Sequence, residues 1–147
     1  MLSKSDWSHL IPHAGTMCLL DAVLEHDARR IHAITATHAG TDNPLRADGR
    51  LHAIALCEYG AQAMAVHGAL LARERGGRAQ PGYLVSLREV ELQVEYVDDL
   101  LGSLDVYAEQ LLDSGESLQY AFRVEHEGRL LASGRAAVLT KAGERQQ

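Results

Sequence analysis

Hydrophobic and polar positions follow two rhythms along this chain, and the change of rhythm divides it. Met17 to His26 is an apolar run that ends in charge. Arg30 to Thr37 reads as a strand, with Ile31, Ala33 and Thr35 on one face and His32, Ile34 and Ala36 on the other. From His38 to Arg50 the alternation stops, and Gly40, Asn43-Pro44 and Asp48-Gly49 are turn formers. Leu51 to Ala72 is then dense in Ala, Leu and Met; from Ala53 onward its strongly polar side chains are Glu58, Gln62 and His67. Such a run of helix formers predicts a helix. A helix that is apolar on every side is expected to be buried on every side. Arg73-Glu74-Arg75-Gly76-Gly77 stops it, with cations suited to its C-terminal dipole and glycines to end it.

The second half returns to the two-residue rhythm. Tyr83 to Glu95, Leu104 to Leu112, Ser117 to Glu125 and Leu130 to Leu139 read as strands. They are separated by Asp98-Asp99, Asp113-Ser114-Gly115 and Glu127-Gly128, and Leu118, Tyr120, Phe122 and Val124 alternate cleanly. The order is strand, strand, helix, then about four strands. An antiparallel sheet wrapped around one long central helix accounts for that order and for the helix's missing polar face, which makes the fold class α+β.

The chain's 147 residues fit one domain, with a core from about Leu10 to Leu139 and a polar, flexible tail from Lys141 to Gln147. Its composition, 46% hydrophobic and 23% charged, is that of an ordinary globular protein. A formal charge of −6 argues against a general nucleic-acid binder, which needs a basic surface. The helical stretch is Ala-rich and carries a carboxylate near its start, so no membrane span is expected. Residues 1–11 carry Lys4, Asp6 and His9 and lack an apolar signal core, which points to the cytoplasm. Cys18 and Cys57 lie in apolar runs and are expected to be buried, reduced packing residues. No metal-ligand spacing, nucleophile motif or glycine-rich phosphate loop is present, so neither a metal nor a resident cofactor is expected.

Glu58 is the leading candidate for chemistry. An ionised carboxylate in an apolar helix must be paired, protonated or facing a cavity, and perturbed carboxylates in clefts cluster at working sites. Gln62, one turn on, is placed to orient it. Asn43 precedes Glu58 by fifteen residues, but Asn-Pro is equally a plain turn signal. His52 is either a general base or a residue that only flanks the helix start. His13 and His38 read as structural or exposed, and His67, on the opposite helix face from Glu58, as a packed or interface histidine. Backbone amides between Leu51 and Ala53 are candidates to bind a thioester oxygen.

These residues resemble a family. Ile11-Pro12-His13 followed by Met17-Cys18-Leu19-Leu20-Asp21-Ala22-Val23 resembles the opening of the β-hydroxyacyl–acyl carrier protein dehydratases. Glu58-Tyr59-Gly60-Ala61-Gln62-Ala63 resembles their helix motif, in which the Glu is catalytic, and the strands from Gly82 onward follow their pattern. Asn43-Pro44-Leu45-Arg46 with Gly49-Arg50-Leu51 is more similar to a divergent branch. That branch is the dehydratase-like proteins of aryl-polyene pigment clusters, thought to work beside a second dehydratase. The resemblance covers nearly the whole chain and implies the hotdog fold. It also implies a substrate carried as a thioester on the phosphopantetheine of an acyl carrier protein or coenzyme A, and no other cofactor.

The departure from the family lies in the loop before the helix. The family has a catalytic His there, in a His-Phe-Pro-Gly loop, where this chain reads Asp42-Asn43-Pro44-Leu45-Arg46. Dehydration needs a base for the α-proton and an acid for the leaving hydroxyl. Glu58 would act alone or with His52. Three readings stay open. The first is a dehydratase-like enzyme using Glu58 and Gln62. The second is a hotdog thioesterase, in which Glu58 activates water or attacks while Asn43 positions water. The third is a non-catalytic subunit that supports a second dehydratase. A single copy would leave a sheet edge open, so a dimer is expected, either with itself or with a second hotdog dehydratase. An acidic carrier protein calls for a local basic landing site, for which Arg73, Arg75 and Arg78 are candidates.

Overall fold

A computed structural model describes residues 1–77 and 82–140, with the backbone alone for 82–85 and 140. Among the described residues, seven strands form one antiparallel sheet around a single long helix; the expected order of two strands, a helix and about four strands is found, and the two-residue strand at the chain's start is additional. The elements are β1 (Leu2–Ser3), α1 (Lys4–Trp7), β2 (Ala22–His26), β3 (Arg30–Thr35), α2 (Leu56–Glu74), β4 (Gly82–Leu92), β5 (Leu104–Asp113), β6 (Ser117–His126) and β7 (Arg129–Thr140). Their order across the sheet is β1-β2-β3-β5-β6-β7-β4. The fold class is α+β, and the arrangement is the hotdog fold.

Register follows the two-residue rhythm. Ile31 faces Ala108 across β3 and β5, Val106 faces Val124 across β5 and β6, and Val124 faces Ala132 across β6 and β7. All of these are buried. A slip of one residue would turn this whole apolar set to solvent, so burial itself pins the pairing. The β6–β7 hairpin closes on Glu127-Gly128, both with positive φ (50° and 81°). That geometry matches the right-handed twist of the strands it joins.

A short 3-10 turn, Ala53–Ala55, leads into the 19-residue α2. Tyr59, Gln62, Ala63, Val66, His67 and Leu70 are buried against the sheet, at helical spacing. Gly60 is needed at its position: a Cβ there would come within 2.5 Å of the Phe122 ring. His67 is a packed histidine, as expected. Its Nε2–H donates to the Asp27 carbonyl at 2.8 Å, and its Nδ1 accepts the Tyr120 hydroxyl at 2.8 Å.

Two expectations are corrected. Met17 to Leu20 is not strand: Gly15–Met17 makes a 3-10 turn, Cys18 is extended, and residues 18–21 lie outside the sheet, with β2 starting at Ala22. Buried side chains, Gln62 above all, rather than a neighbouring strand, take up the backbone groups of this run. The buried core also reaches back beyond Leu10, because Trp7 in α1 is fully buried. Cys18 is buried and Cys57 half-buried, and both are free thiols. Lys141 to Gln147 lies outside the described residues. No helix among the described residues is long and apolar enough to cross a membrane.

Candidate functional site

Glu58 sits in the first turn of α2, where a carboxylate is favoured by the helix dipole. It is exposed rather than buried. The helix is apolar throughout but not covered throughout. Tyr59, Gln62 and Ala63 face the sheet, whereas Cys57, Ala61, Ala65 and Gly68 are half-buried on the side with Glu58. Small side chains there take the place of the polar face that would have marked the outside. Glu58 makes no hydrogen bond or ion pair with the described residues, so its oxygens are open to a substrate or to another chain.

Gln62 does not orient Glu58. Its Oε1 accepts the Leu19 N–H at 2.8 Å, and its Nε2 donates to the Met17 carbonyl at 2.5 Å. The side chain is fully buried and holds the turn before β2 against the helix. The reason is geometric. Residue 62 lies about 40° around the helix from residue 58, enough to move from the open side to the covered one.

Asn43 is likewise committed. Its Oδ1 accepts the Leu45 N–H at 2.8 Å, closing the Asn-Pro turn. Its Nδ2 donates to the Thr37 carbonyl and to the Tyr59 hydroxyl, each at 2.9 Å. With the Tyr59 oxygen accepting from Asn43, its proton goes to Thr37 Oγ1 at 2.8 Å, and Thr37 donates to the Leu19 carbonyl at 2.7 Å. Burial pushes the Tyr59 phenol up, opposed by these two hydrogen bonds, so it stays protonated and can donate. Both Nδ2 hydrogens of Asn43 are therefore used, which leaves it no donor with which to hold a water at Glu58. Nothing in the sequence singled out Tyr59, the hub of this network. Its place beside Glu58 was the available signal.

Two of the expected oxyanion donors, the Leu51 and Ala53 amides, are occupied too. The Leu51 N–H donates to Asp98 Oδ1 at 2.9 Å, and the Ala53 N–H to the Glu95 carbonyl at 2.9 Å. The Leu51 amide holds the Asp98 carboxyl below the usual carboxylate range, helped by the Arg50 guanidinium at 3.1 Å. These bonds join the helix start to the segment that follows β4. His52 is exposed, with its ring 4.5 Å from that of Tyr96, and forms no hydrogen bond or ion pair with Glu58. Arg50 lies over the other partner of that contact, 4.0 Å from the Tyr96 centroid.

The remaining candidates lie elsewhere. His38 is buried, with Nε2 donating to the Leu100 carbonyl at 2.9 Å and Nδ1 without a partner among the described residues. His13 is half-buried, and its Nδ1 also lacks a partner among them. Arg73 donates to the Asp6 carbonyl and Arg75 to that of Leu71, near the far end of α2 from Glu58. Arg78 lies outside the described residues. A cavity of about 190 Å³ opens beside Asn43, between Lys4, Thr16, Cys18, Thr37 and Asp42, and Glu58 does not line it. No group of three or more metal-ligating side chains occurs among the described residues.

The site seen in one chain is thus an open carboxylate at the start of a central helix, with the nearby loop locked shut. The family model for ApeP dehydratase matches residues 5–147. The chain belongs to the ApeP-like dehydratase family. Among solved structures, the ApeI:P dehydratase heterocomplex of Xenorhabdus doucetiae is 24% identical over 95% of this chain and 94% of the matched one, with a TM-score of 0.81. A hypothetical thioesterase from Streptococcus pneumoniae, solved with coenzyme A, is 12% identical over 81% of this chain and 84% of its own, with a TM-score of 0.60. A thioesterase mutant from Staphylococcus aureus is 15% identical over 80% and 90%, with a TM-score of 0.61. These likenesses are likenesses of fold. No protein of curated function matches the sequence.

Proposed function

We propose that this ApeP-like chain is a dehydratase-like subunit acting on β-hydroxyacyl thioesters of an acyl carrier protein, in polyene-type biosynthesis in the cytoplasm. The uncommitted carboxylate of Glu58 carries the reading. It stands on the first turn of the central helix, within the Glu58-to-Ala63 motif, in a chain whose family match is nearly complete. Elimination of water takes a proton from Cα and expels the β-hydroxyl as water, so one group accepts a proton and one donates. Glu58 supplies one of these groups. Asn43 is bonded on three sides, and His52 rests on Tyr96. The second group therefore comes from another chain that closes over Glu58, and the acyl chain lies between the two. The matched Xenorhabdus doucetiae structure is a dehydratase heterocomplex, which supports a second hotdog subunit here. The substrate brings its own phosphopantetheine, and no further cofactor is invoked.

The test is mass spectrometry of a carrier protein loaded with a β-hydroxyacyl chain. It is incubated with the chain, with and without a second hotdog dehydratase subunit, and again with the Glu58→Ala variant. Loss of water that depends on Glu58 is the expected result. Release of the whole acyl chain would make the protein a thioesterase instead. Dehydration that survives Glu58→Ala in the presence of the partner would reduce the chain to a non-catalytic support.

A further inference from the structure

The face of the sheet turned away from α2 carries a row of side chains that the Glu58 site does not use. Pairing sets Glu25, His32, Tyr107, Arg123, Ser133 and Glu91 side by side, each on the strand next to the last. Their sequence neighbours Ile31, Val106 and Phe122 are buried toward the helix, so the row points outward. The His32 ring stacks on Tyr107, with centroids 4.3 Å apart and an interplanar angle of 19°. The Arg123 guanidinium lies 3.9 Å from the Tyr107 centroid. Because β5 lies between β3 and β6, Tyr107 stands between the two. Both outer members of this stack are held in place. His32 Nε2–H donates to Asp105 Oδ1 at 2.7 Å, and Arg123 Nε–H to Glu125 Oε2 at 2.6 Å.

The stack stops one place short. Neighbouring strands lie about 4.8 Å apart, so each step along the row has room for one planar group. The next place belongs to Ser133, and Ala121, diagonal to it, is as small. A cavity of about 870 Å³ opens over these two residues, and Glu58 does not line it. A volume of this order suits a small-molecule ligand. Its far wall comes from a bulge in β4, where Glu89 and Val90 face the single residue Gly134. Glu89, at a φ of 54°, lines the cavity, as does Glu91. The charges around it do not balance. Arg30, Arg123 and Arg135 each have a carboxylate partner: Glu109 at 3.6 Å, Glu125 at 2.6 Å and Glu89 at 3.1 Å. Glu25 and Glu91 line the cavity and make no ion pair or hydrogen bond with the described residues. The surplus is negative, and it favours a cation.

We propose that this groove binds a small aromatic amine, its ring stacked on the open face of the Arg123 guanidinium above Ser133 and its ammonium on Glu91. The ring becomes the next member of the His32–Tyr107–Arg123 stack, and a guanidinium is attracted to the face of an electron-rich ring. Glu91 stands one strand beyond Ser133, about 4.8 Å further along the row, within reach of an ammonium two carbons from the ring. The groove and Glu58 lie on opposite sides of the sheet, so binding here does not depend on the dehydratase reading.

Calorimetric titration of the full chain with tryptamine at low salt tests this. Indolepropionate keeps the ring and reverses the charge, and n-hexylamine keeps the charge without the ring. The expected result is one-to-one binding of tryptamine, about tenfold or more tighter than of either control. Glu91→Gln and Arg123→Lys should each weaken it about tenfold, since the lysine retains the charge and loses the planar face. Ser133→Leu fills the vacant place and should abolish binding, whereas Glu58→Ala should leave it unchanged. Glu91→Gln alters an exposed side chain, so it tests the site even if Ser133→Leu fails to fold. The proposal is overturned if tryptamine does not bind at millimolar concentration, or if either control binds as tightly. It is overturned equally by binding indifferent to Glu91→Gln and Arg123→Lys, or by binding lost in Glu58→Ala.

Discussion

The Tyr59 hydroxyl accepts a hydrogen bond from the Asn43 amide at 2.9 Å and so ties the loop before the central helix to the helix itself. Asn43 serves three partners, so Asn43→Ala leaves the Leu45 N–H and the Thr37 carbonyl unmet as well as Tyr59. Each buried polar group left without a partner costs about 1–3 kcal/mol, so a loss of about 3 kcal/mol in urea unfolding is expected. Tyr59→Phe removes the shared hydroxyl and should cost about 1 kcal/mol. The double variant should lose less than the two singles together, because both remove one bond. Strict additivity would mean that the contact contributes nothing.

Gln62 and Glu58 share a motif but should separate completely on substitution. Gln62→Ala strands the buried Leu19 N–H and the part-buried Met17 carbonyl and should destabilise the free chain by about 2–4 kcal/mol. Glu58→Ala removes an exposed side chain without partners and should change stability by no more than about 0.5 kcal/mol. Chemical denaturation of both variants measures this. A large loss for Glu58→Ala would show that Glu58 has a structural partner.

What the sequence revealed and what it hid follow from the range of the interactions involved. Strand β3, the four strands after the helix, the tight turn at Glu127-Gly128 and the central helix are set by local rhythm and by residues that tolerate positive φ, and these were legible, whereas β1 and the late start of β2 were not. The open side of α2 was not, because Ala61, Ala65 and Gly68 carry no polar group to mark it. The roles of Gln62 and Asn43 were hidden for a different reason. Gln62 bonds backbone atoms 43 and 45 residues away, and a backbone group leaves no trace in the residue type that presents it. Trp7 was masked by its polar neighbours Lys4, Asp6 and His9, though a lone tryptophan is a strong reason to suspect burial.

Two glycines of α2 should respond oppositely to alanine. At Gly60 the new Cβ would meet the Phe122 ring, which is itself buried against Gly134 and has little room to move. Overpacking of this kind costs about 1–3 kcal/mol. At Gly68 nothing lies within 4 Å of the added carbon, and alanine removes the entropic cost of glycine in a helix, worth about 1 kcal/mol. Thermal melts of Gly60→Ala and Gly68→Ala should therefore shift down and up respectively. A stabilising Gly60→Ala would place the Phe122 ring elsewhere.

Acid should weaken the fold through two buried imidazoles. Nε2 of His67 faces the Asp27 carbonyl and Nε2 of His38 that of Leu100, so both rings carry their proton on Nε2. Nδ1 then carries no proton: in His67 it accepts from Tyr120, and in His38 it has no partner among the described residues. Burial is the leading cause that pushes both rings below the ordinary histidine range. A group whose folded pKa is depressed takes up its proton more readily when unfolded. Its stabilising effect is complete above the unfolded value of about 6.5 and is lost as pH falls from there toward the folded value. Each histidine contributes a slope of at most about 1.4 kcal/mol per pH unit in that window. The urea midpoint should be flat from pH 8 to about 7 and fall steeply between about 6.5 and 5. His67→Asn, with an amide in place of the titrating ring, should flatten part of that fall even if it lowers stability at neutral pH. If the slope is unchanged in His67→Asn and in His38→Asn, carboxylates and not these histidines govern the acid limb.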